Sequence, residues 1–461
     1  MENQKRSLGK RGLGVLCSLS ESYMMLPFLI FSGLLTGKST AVNFFLPVIV
    51  VYSVQRGCLI ALRGFGEITN PYRILKGGLL LALAGASLMV LSALYQPLQM
   101  VSALLIGVGL SSYRAMFLSL YAVVTEGDPA LKKGKSVGTL LYLLVMLLAL
   151  GLGKSRLPVV PALFLCYIAG ALWLLSRLDG DRMFAGRKAF DTAKRKPVFF
   201  VFGVLSLLCL FILRQYKQSG ASALIWLAPA LAAVAIALEL YRSWNYRDFT
   251  YQTYWVGALK CHLFVFSLVY QSSVGNTAMA TGVYLAIALG SILSAALRKP
   301  LARLLPIPRF SRVCMVLSSA CAFLLVAPSQ IVNFLGILLS GVFGNMVAAE
   351  VGGKYMEDRR HVPLERPLVR LRIQTAGSTL QQLVIFFTIY LLGEGWDHQN
   401  LLEAYAAGTP NPEVGPLLQV TGLICGGLLL LSAILIACFA GASRESTGTC
   451  GSINERSDIN G

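Results

Sequence analysis

Apolar residues in this chain come in long unbroken runs. They show neither the period-two alternation of a half-buried strand nor the single apolar stripe of a soluble helix. A helix crossing the hydrocarbon of a bilayer needs about 20 predominantly apolar residues. Runs of that kind fall near residues 13–36, 41–62, 77–95, 98–124, 137–153, 157–175, 197–213, 222–241, 253–271, 276–297, 313–328, 331–350, 373–393 and 418–440. The pattern predicts an all-α integral membrane protein of about 14 transmembrane helices. Without the runs at 197–213 and 222–241 the count is 12, with the same sidedness.

The runs also repeat. Gly107-Val108-Gly109 in the fourth run is followed, beyond a basic loop, by Gly138-Thr139-Leu140. Gly341-Val342-Phe343-Gly344 in the twelfth is followed, beyond another basic loop, by Gly377-Ser378-Thr379-Leu380. The offset matches the spacing between the first and ninth runs. The expected organisation is an N-terminal six-helix lobe over residues 1–177, a cytoplasmic linker with two extra spans over 178–252, a C-terminal six-helix lobe over 253–440 and a polar cytoplasmic tail over 441–461.

Composition supports a lipid-facing surface. Of 461 residues, 56% are hydrophobic and 13% charged, against about 25% charged in soluble domains. The formal net charge of +19 would suggest nucleic acid, but its placement follows the positive-inside rule instead. With the N-terminus inside, 32 of the 40 Lys and Arg fall on cytoplasmic segments, five on outer loops and three within spans. Both termini are therefore expected in the cytoplasm, and anionic inner-leaflet headgroups are the expected lipid partners. Lys5, Arg6, Lys10 and Arg11 precede a first run longer than a signal-peptide core, which is read as a retained span. Most of the ten cysteines lie in apolar runs, among them Cys58, Cys166, Cys425 and Cys438, without metal-type spacing, so no disulfide framework is expected.

A six-plus-two-plus-six layout with parallel halves resembles the fourteen-span branch of the major facilitator superfamily. That family carries a G-x-x-x-D-R/K-x-G-R/K-R/K motif after its second helix. The corresponding stretch here runs from Gly64 through Glu67 and Asn70 to Arg73 and Lys76, with Glu67 where the family has Asp and Arg73 among its basic positions. The Gly-rich fifth and thirteenth runs look like the family's gating helices. The resemblance implies two lobes, a midplane cavity between them and alternating access by rocking. It does not imply a substrate.

Ionisable groups inside spans carry the remaining information, since each costs roughly 2.5–3.5 kcal/mol at mid-membrane on insertion scales. Glu21 lies in the most polar stretch of any span, Ser18 to Tyr23, and reads as the proton-coupling carboxylate or a structural partner for Arg56 or Arg114. Arg56 and Arg114 cannot usefully lose their charge; they read as anion-attracting cavity residues or as braces between helices. In the ninth run, Lys260 and His262 diverge by about 200° around a helix. Lys260 is a candidate anion contact and His262 a candidate titrating group. Tyr23 and Gln381 complete the candidate substrate set, and Glu67 and Arg73 the gating loop. Glu350 is expected to pair with Lys354 or a loop Arg.

Phosphate-binding loops, dinucleotide fingerprints, zinc-protease and serine-hydrolase motifs are absent from the sequence, and the three histidines are scattered. The expected function is a non-enzymatic, proton-coupled secondary transporter of a bacterial cytoplasmic membrane. It would act as a monomer without cofactor or nucleic acid, on a small anionic or amphipathic solute. The alternatives are a flippase for a lipid-linked precursor and a membrane-embedded enzyme acting on lipids. The latter would rely on the outer acidic loop with Asp397, His398 and Glu403.

Overall fold

A computed structural model describes residues 46–65, 70–92, 97–125, 159–178, 247–304, 307–357, 365–395 and 414–445, the short stretch 25–31 and a few isolated positions. The described residues are helical, with no strand among them. The first half supplies α1 (Met25–Phe31), α2 (Leu46–Ala61), α3 (Pro71–Leu91), α4 (Leu98–Leu110), α5 (Tyr113–Thr125) and α6 (Val159–Ser176). The second supplies α7 (Arg247–Cys261), α8 (Ser267–Ser273), α9 (Thr277–Leu304), α10 (Ile307–Ala322), α11 (Gln330–Glu357), α12 (Arg366–Gly395) and α13 (Val414–Glu445). A π-type turn over His262–Phe266 joins α7 to α8.

Six stretches among the described residues are long and apolar enough to cross a membrane: Pro71–Leu91, Leu98–Tyr121, Val159–Ser176, Gly282–Leu304, Gln330–Glu357 and Val414–Cys438. Their outward faces carry Leu80, Leu104, Trp173, Leu293, Leu339, Leu431 and Leu435, all exposed. A belt of large apolar side chains on that scale suits lipid rather than water. The protein is an all-α membrane protein. The predicted spans at 197–213 and 222–241 lie outside the described residues apart from Pro197, Phe200 and Val201, and the fifth, at 137–153, is described only at scattered helical positions such as Leu140 and Leu144.

The start of α3 is set by capping rather than by hydropathy. α3 begins at Pro71, six residues before the apolar run, because the Asn70 side chain accepts from the Tyr72 and Arg73 amides and proline fills the first turn. α11 has 28 residues, about 42 Å at helical rise, so it overruns a hydrocarbon core of roughly 30 Å.

The same helix pairings recur in both halves. α4 packs on α2 and α3, and α11 packs on α9 and α10; α3 packs on α6, and α10 on α13. Glycines permit the matching crossings. A methyl group on Gly107 would lie 3.0 Å from Val54 Cβ in α2, and one on Gly290 of α9 would lie 3.1 Å from the Leu338 carbonyl oxygen in α11. Small and hydroxylated residues hold such crossings in lipid, where no hydrophobic force drives helices together. In the second half, Ser318 and Ser340 each donate to the other's backbone carbonyl at 2.8 and 2.7 Å, and Trp255 donates to Ser319 at 3.2 Å.

α12 joins the halves. Within its own half it packs along α7, where Gly257 meets the Gln374 carbonyl and Gly377 meets the Tyr254 carbonyl so closely that neither has room for a side chain. Towards the other half it packs on α2 and α5. Leu268, Tyr284 and Leu368 of the second half belong to the buried apolar cluster of the first.

Candidate functional site

A cavity of about 240 Å³ lies between the halves. The first half lines it with Tyr52, Gln55 and Arg56 of α2, Ser111, and Arg114 of α5; the second lines it with residues of α7, α9, α11 and α12. Lys260 of α7, Ser291 of α9, Asn345 of α11 and Gln374 and Thr375 of α12 are its polar contributions from that side. Three basic side chains thus face one space, and the described lining contains no carboxylate. They come from three different helices at sequence positions far apart. The remaining wall mixes hydroxyls and amides with Leu59, Val256, Leu263 and Phe264, the mixture of apolar wall and few polar anchors usual for a small-molecule site.

At one edge of the cavity α2 is latched to α12. The Tyr52 hydroxyl hydrogen-bonds the Ser378 hydroxyl. One turn along, Arg56 Nη1 donates to Thr375 Oγ1 at 3.2 Å, and the guanidinium sits 4.9 Å from the centre of the Tyr52 ring, a cation–π distance. The Cys261 thiol of α7 also lies within hydrogen-bonding reach of Tyr52. Asn345 Nδ2 donates to Ser291 Oγ at 3.1 Å across α11 and α9 on the opposite wall.

The structure brings Arg56, Arg114 and Lys260 together on this cavity. His262 is not on it. The ring is fully buried and stacked 5.0 Å from Phe266, and neither nitrogen has a hydrogen-bond partner among the described residues. Gln381 is buried in α12 and is not among the cavity's lining residues. Glu21, Tyr23 and Glu67 lie outside the described residues, as do Asp397, His398 and Glu403. Glu350 pairs with Lys354 at 3.0 Å, one helical turn apart, as expected.

Arg73 sits at the start of α3, exposed, where its Nε bonds Asp181 Oδ1 at 2.8 Å. Asn70 Nδ2 donates to the same oxygen at 2.9 Å, and the Tyr72 hydroxyl reaches the Leu175 and Leu178 carbonyls at 3.3 and 3.2 Å. This clasp ties the start of α3 to the end of α6. The hydrogen bond from Arg73 holds the Asp181 carboxyl below its ordinary range. Residues 73 and 181 therefore lie at the same end of the bundle. Asp181, Tyr52, Ser378 and Thr375 were not singled out from sequence as site residues. The available signal was weak: hydroxyls on spans that are otherwise apolar.

No family model matches the sequence, and no curated protein matches it. Solved structures do. The chain is similar over 95% of its length to 98% of the POT family transporter PepTSo, with a TM-score of 0.59 at 12% identity. A proton dependent oligopeptide (POT) family transporter matches over 92% of this chain and 99% of its own, with a TM-score of 0.56 at 14% identity. The nucleoside transporter NupG matches over 93% and 98%, with a TM-score of 0.54 at 11% identity. At these identities the likeness is one of fold.

Proposed function

We propose that the chain is a secondary active transporter that moves a small anionic or amphipathic solute across the cytoplasmic membrane by alternating access, driven by a proton gradient. The observation that carries this reading is the cavity between the halves, walled by both and lined by Arg56, Arg114 and Lys260. Ionised groups at membrane depth are tolerated where they face a cavity and each other's counterions, and a solute of opposite charge supplies such a counterion. The fold shared with proton-dependent oligopeptide and nucleoside transporters supports transport by rocking of the halves, and the latch of α2 to α12 supplies contacts that such rocking would break and remake. Glu21 is the proposed proton carrier, with His262 as the second titrating group. Tyr23 and Gln381 are proposed to complete the substrate surroundings, and the loop around Glu67 and Arg73 to gate them. The fourteen-span topology with cytoplasmic termini belongs to the same proposal.

The test is flux in proteoliposomes. With an imposed pH gradient, labelled anions should accumulate saturably. Glu21→Gln should abolish gradient-driven accumulation while leaving exchange of internal for external solute intact. Accumulation by Glu21→Gln equal to that of the unaltered protein would remove the coupling role.

A further inference from the structure

We infer that a file of bound water lies along one side of the helical path from His262 to Gln271. It carries protons between His262 and the end of the second half where α8 turns into α9, around Gly275. This deepens the transport reading above and rests on it, since there His262 titrates. The segment is sealed: His262, Ser267 and Gln271 are each at most 1% exposed. Yet both ring nitrogens of His262, Ser267 Oγ and Gln271 Nε2 are buried with no hydrogen-bond partner among the described residues. Buried polar atoms in native proteins are nearly always paired, with protein or with ordered water. Left dry, each of these would carry the full penalty of an unmade hydrogen bond.

The spacing suits single waters. In the π-type turn the Ser267 amide donates to the His262 carbonyl five residues back, so Ser267 stands one turn beyond His262. Gln271 stands one turn beyond Ser267. A helical turn rises about 5.4 Å, and a water making two hydrogen bonds of ordinary length bridges about 5.6 Å. A second helix supplies a further wall. Gly257 of α7 meets Gln374 of α12, and further along both helices Phe266 and Ile385 share one buried cluster. Gln381 therefore stands at the level of the π-type turn, and its Nε2 is likewise buried without a partner among the described residues. A buried water typically makes about three hydrogen bonds, which the two helices together provide. The rings of His262, Phe266 and Tyr270 stack in succession at 5.0 and 6.0 Å and hold the imidazole beside this polar line.

The surroundings leave water as the carrier. Lys260 is turned to the cavity. On the helices packed against the π-type turn, Arg298 of α9, Glu350 of α11 and Arg372 of α12 lie within the terminal seven residues or so of their elements. Tyr284 of α9 and Cys425 of α13 are of types that hold their protons at neutral pH. Turns of the π type recur at functional sites.

Radiolytic hydroxyl-radical labelling of the purified full-length protein in detergent tests the file without any need for flux, because radicals formed at a bound water mark the side chains beside it. Phe266 and Phe164 are both 0% exposed, but Phe164 lies in the apolar cluster of the first half. His262 and Phe266 should be labelled and Phe164 should not. Gln271→Leu and Ser267→Ala should each bring Phe266 down to the labelling of Phe164. Ser273→Ala removes another buried hydroxyl without a described partner, about 200° around the helix from Gln271, and should leave the labelling unchanged. In proteoliposomes, Gln271→Leu should lose gradient-driven accumulation and keep solute exchange, and Gln271→Asn, which retains the amide, should restore accumulation. Labelling of Phe266 no greater than that of Phe164, or undiminished in both Gln271→Leu and Ser267→Ala, would overturn the file and leave transport standing. Full accumulation by a Gln271→Leu protein that has lost its labelling would overturn the proton route. The expected labelling in a protein without flux would uphold the water and remove the transport reading instead.

Discussion

At the scale of the residue, the clasp at Asp181 shows how much of the molecule rests on pairs that no local pattern announces. Arg73 and Asp181 are 108 positions apart, and the Tyr52–Ser378 contact spans 326. The pairing of Asp181 is testable through acid. Its carboxyl is held below the ordinary range by Arg73, so the contribution of the ionised form is full at neutral pH and is lost as pH falls through the lowered titration. Both partners are largely exposed, so the effect is small. Asp181→Asn should lower the melting temperature slightly at pH 7, and the gap should close only below about pH 4, where an ordinary aspartate is already protonated. A gap that persists unchanged through that range would remove the ion pair. What was legible at this scale was short-range or of a rare type. Glu350 and Lys354 are one turn apart. Arg56, Arg114 and Lys260 are conspicuous because a lipid-embedded helix rarely carries a cation. Tyr52, Thr375 and Ser378 are common residues for a span, and only their meeting across the two halves gives them meaning.

At the scale of the element, hydropathy located nearly every described helix but misjudged their ends. The apolar run stops where the hydrocarbon stops; the helix continues to its cap. That is why α3 starts at Asn70 and Pro71 rather than at residue 77, and why α12 starts at Arg366, ahead of its apolar run. Close crossings were partly legible, since Gly341 and Gly377 were visible as members of a repeat, whereas Gly257 was not. Gly257 and Gly377 sit where α7 and α12 touch backbone to backbone. Gly257→Val and Gly377→Val should each cost about 3 kcal/mol or more, because a backbone carbonyl cannot rotate away as a side chain can. Gly353, in α11, has open space around it, so Gly353→Ala should be neutral or stabilise the helix by up to about 1 kcal/mol. Thermal unfolding of the three variants in detergent measures the contrast. Equal stability of all three would mean that α7 and α12 do not meet at these glycines.

At the scale of the whole molecule, two halves with matching internal pairings meet along α2, α5 and α12. The recurrence of helix pairings was legible as glycine motifs repeated at a near-constant offset. The division of the cavity between halves was not, since it depends on how the halves face each other. If the halves rock during transport, the α2–α12 latch must open. Joining Tyr52→Cys to Ser378→Cys with a short bifunctional thiol reagent, in a cysteine-depleted background, should therefore stop flux. Reduction should restore it when the reagent's linker is itself a disulfide. Flux that continues at full rate through the cross-linked protein would show that these helices stay together throughout the cycle.

The π-type turn at His262–Phe266 sets the phase of the helical path from Arg247 to Ser273. Ten positions separate Lys260 from Tyr270. In an unbroken α-helix they would stand roughly 80° apart around the axis; one residue absorbed by the wider turn makes that roughly 180°. Lys260 accordingly faces the cavity, while the Tyr270 hydroxyl is directed to α13, where Gln419 donates to it at 3.1 Å. One continuous helix thereby presents a cation to the space shared by the halves and, further along, a hydrogen-bonding hydroxyl to the interior of its own bundle.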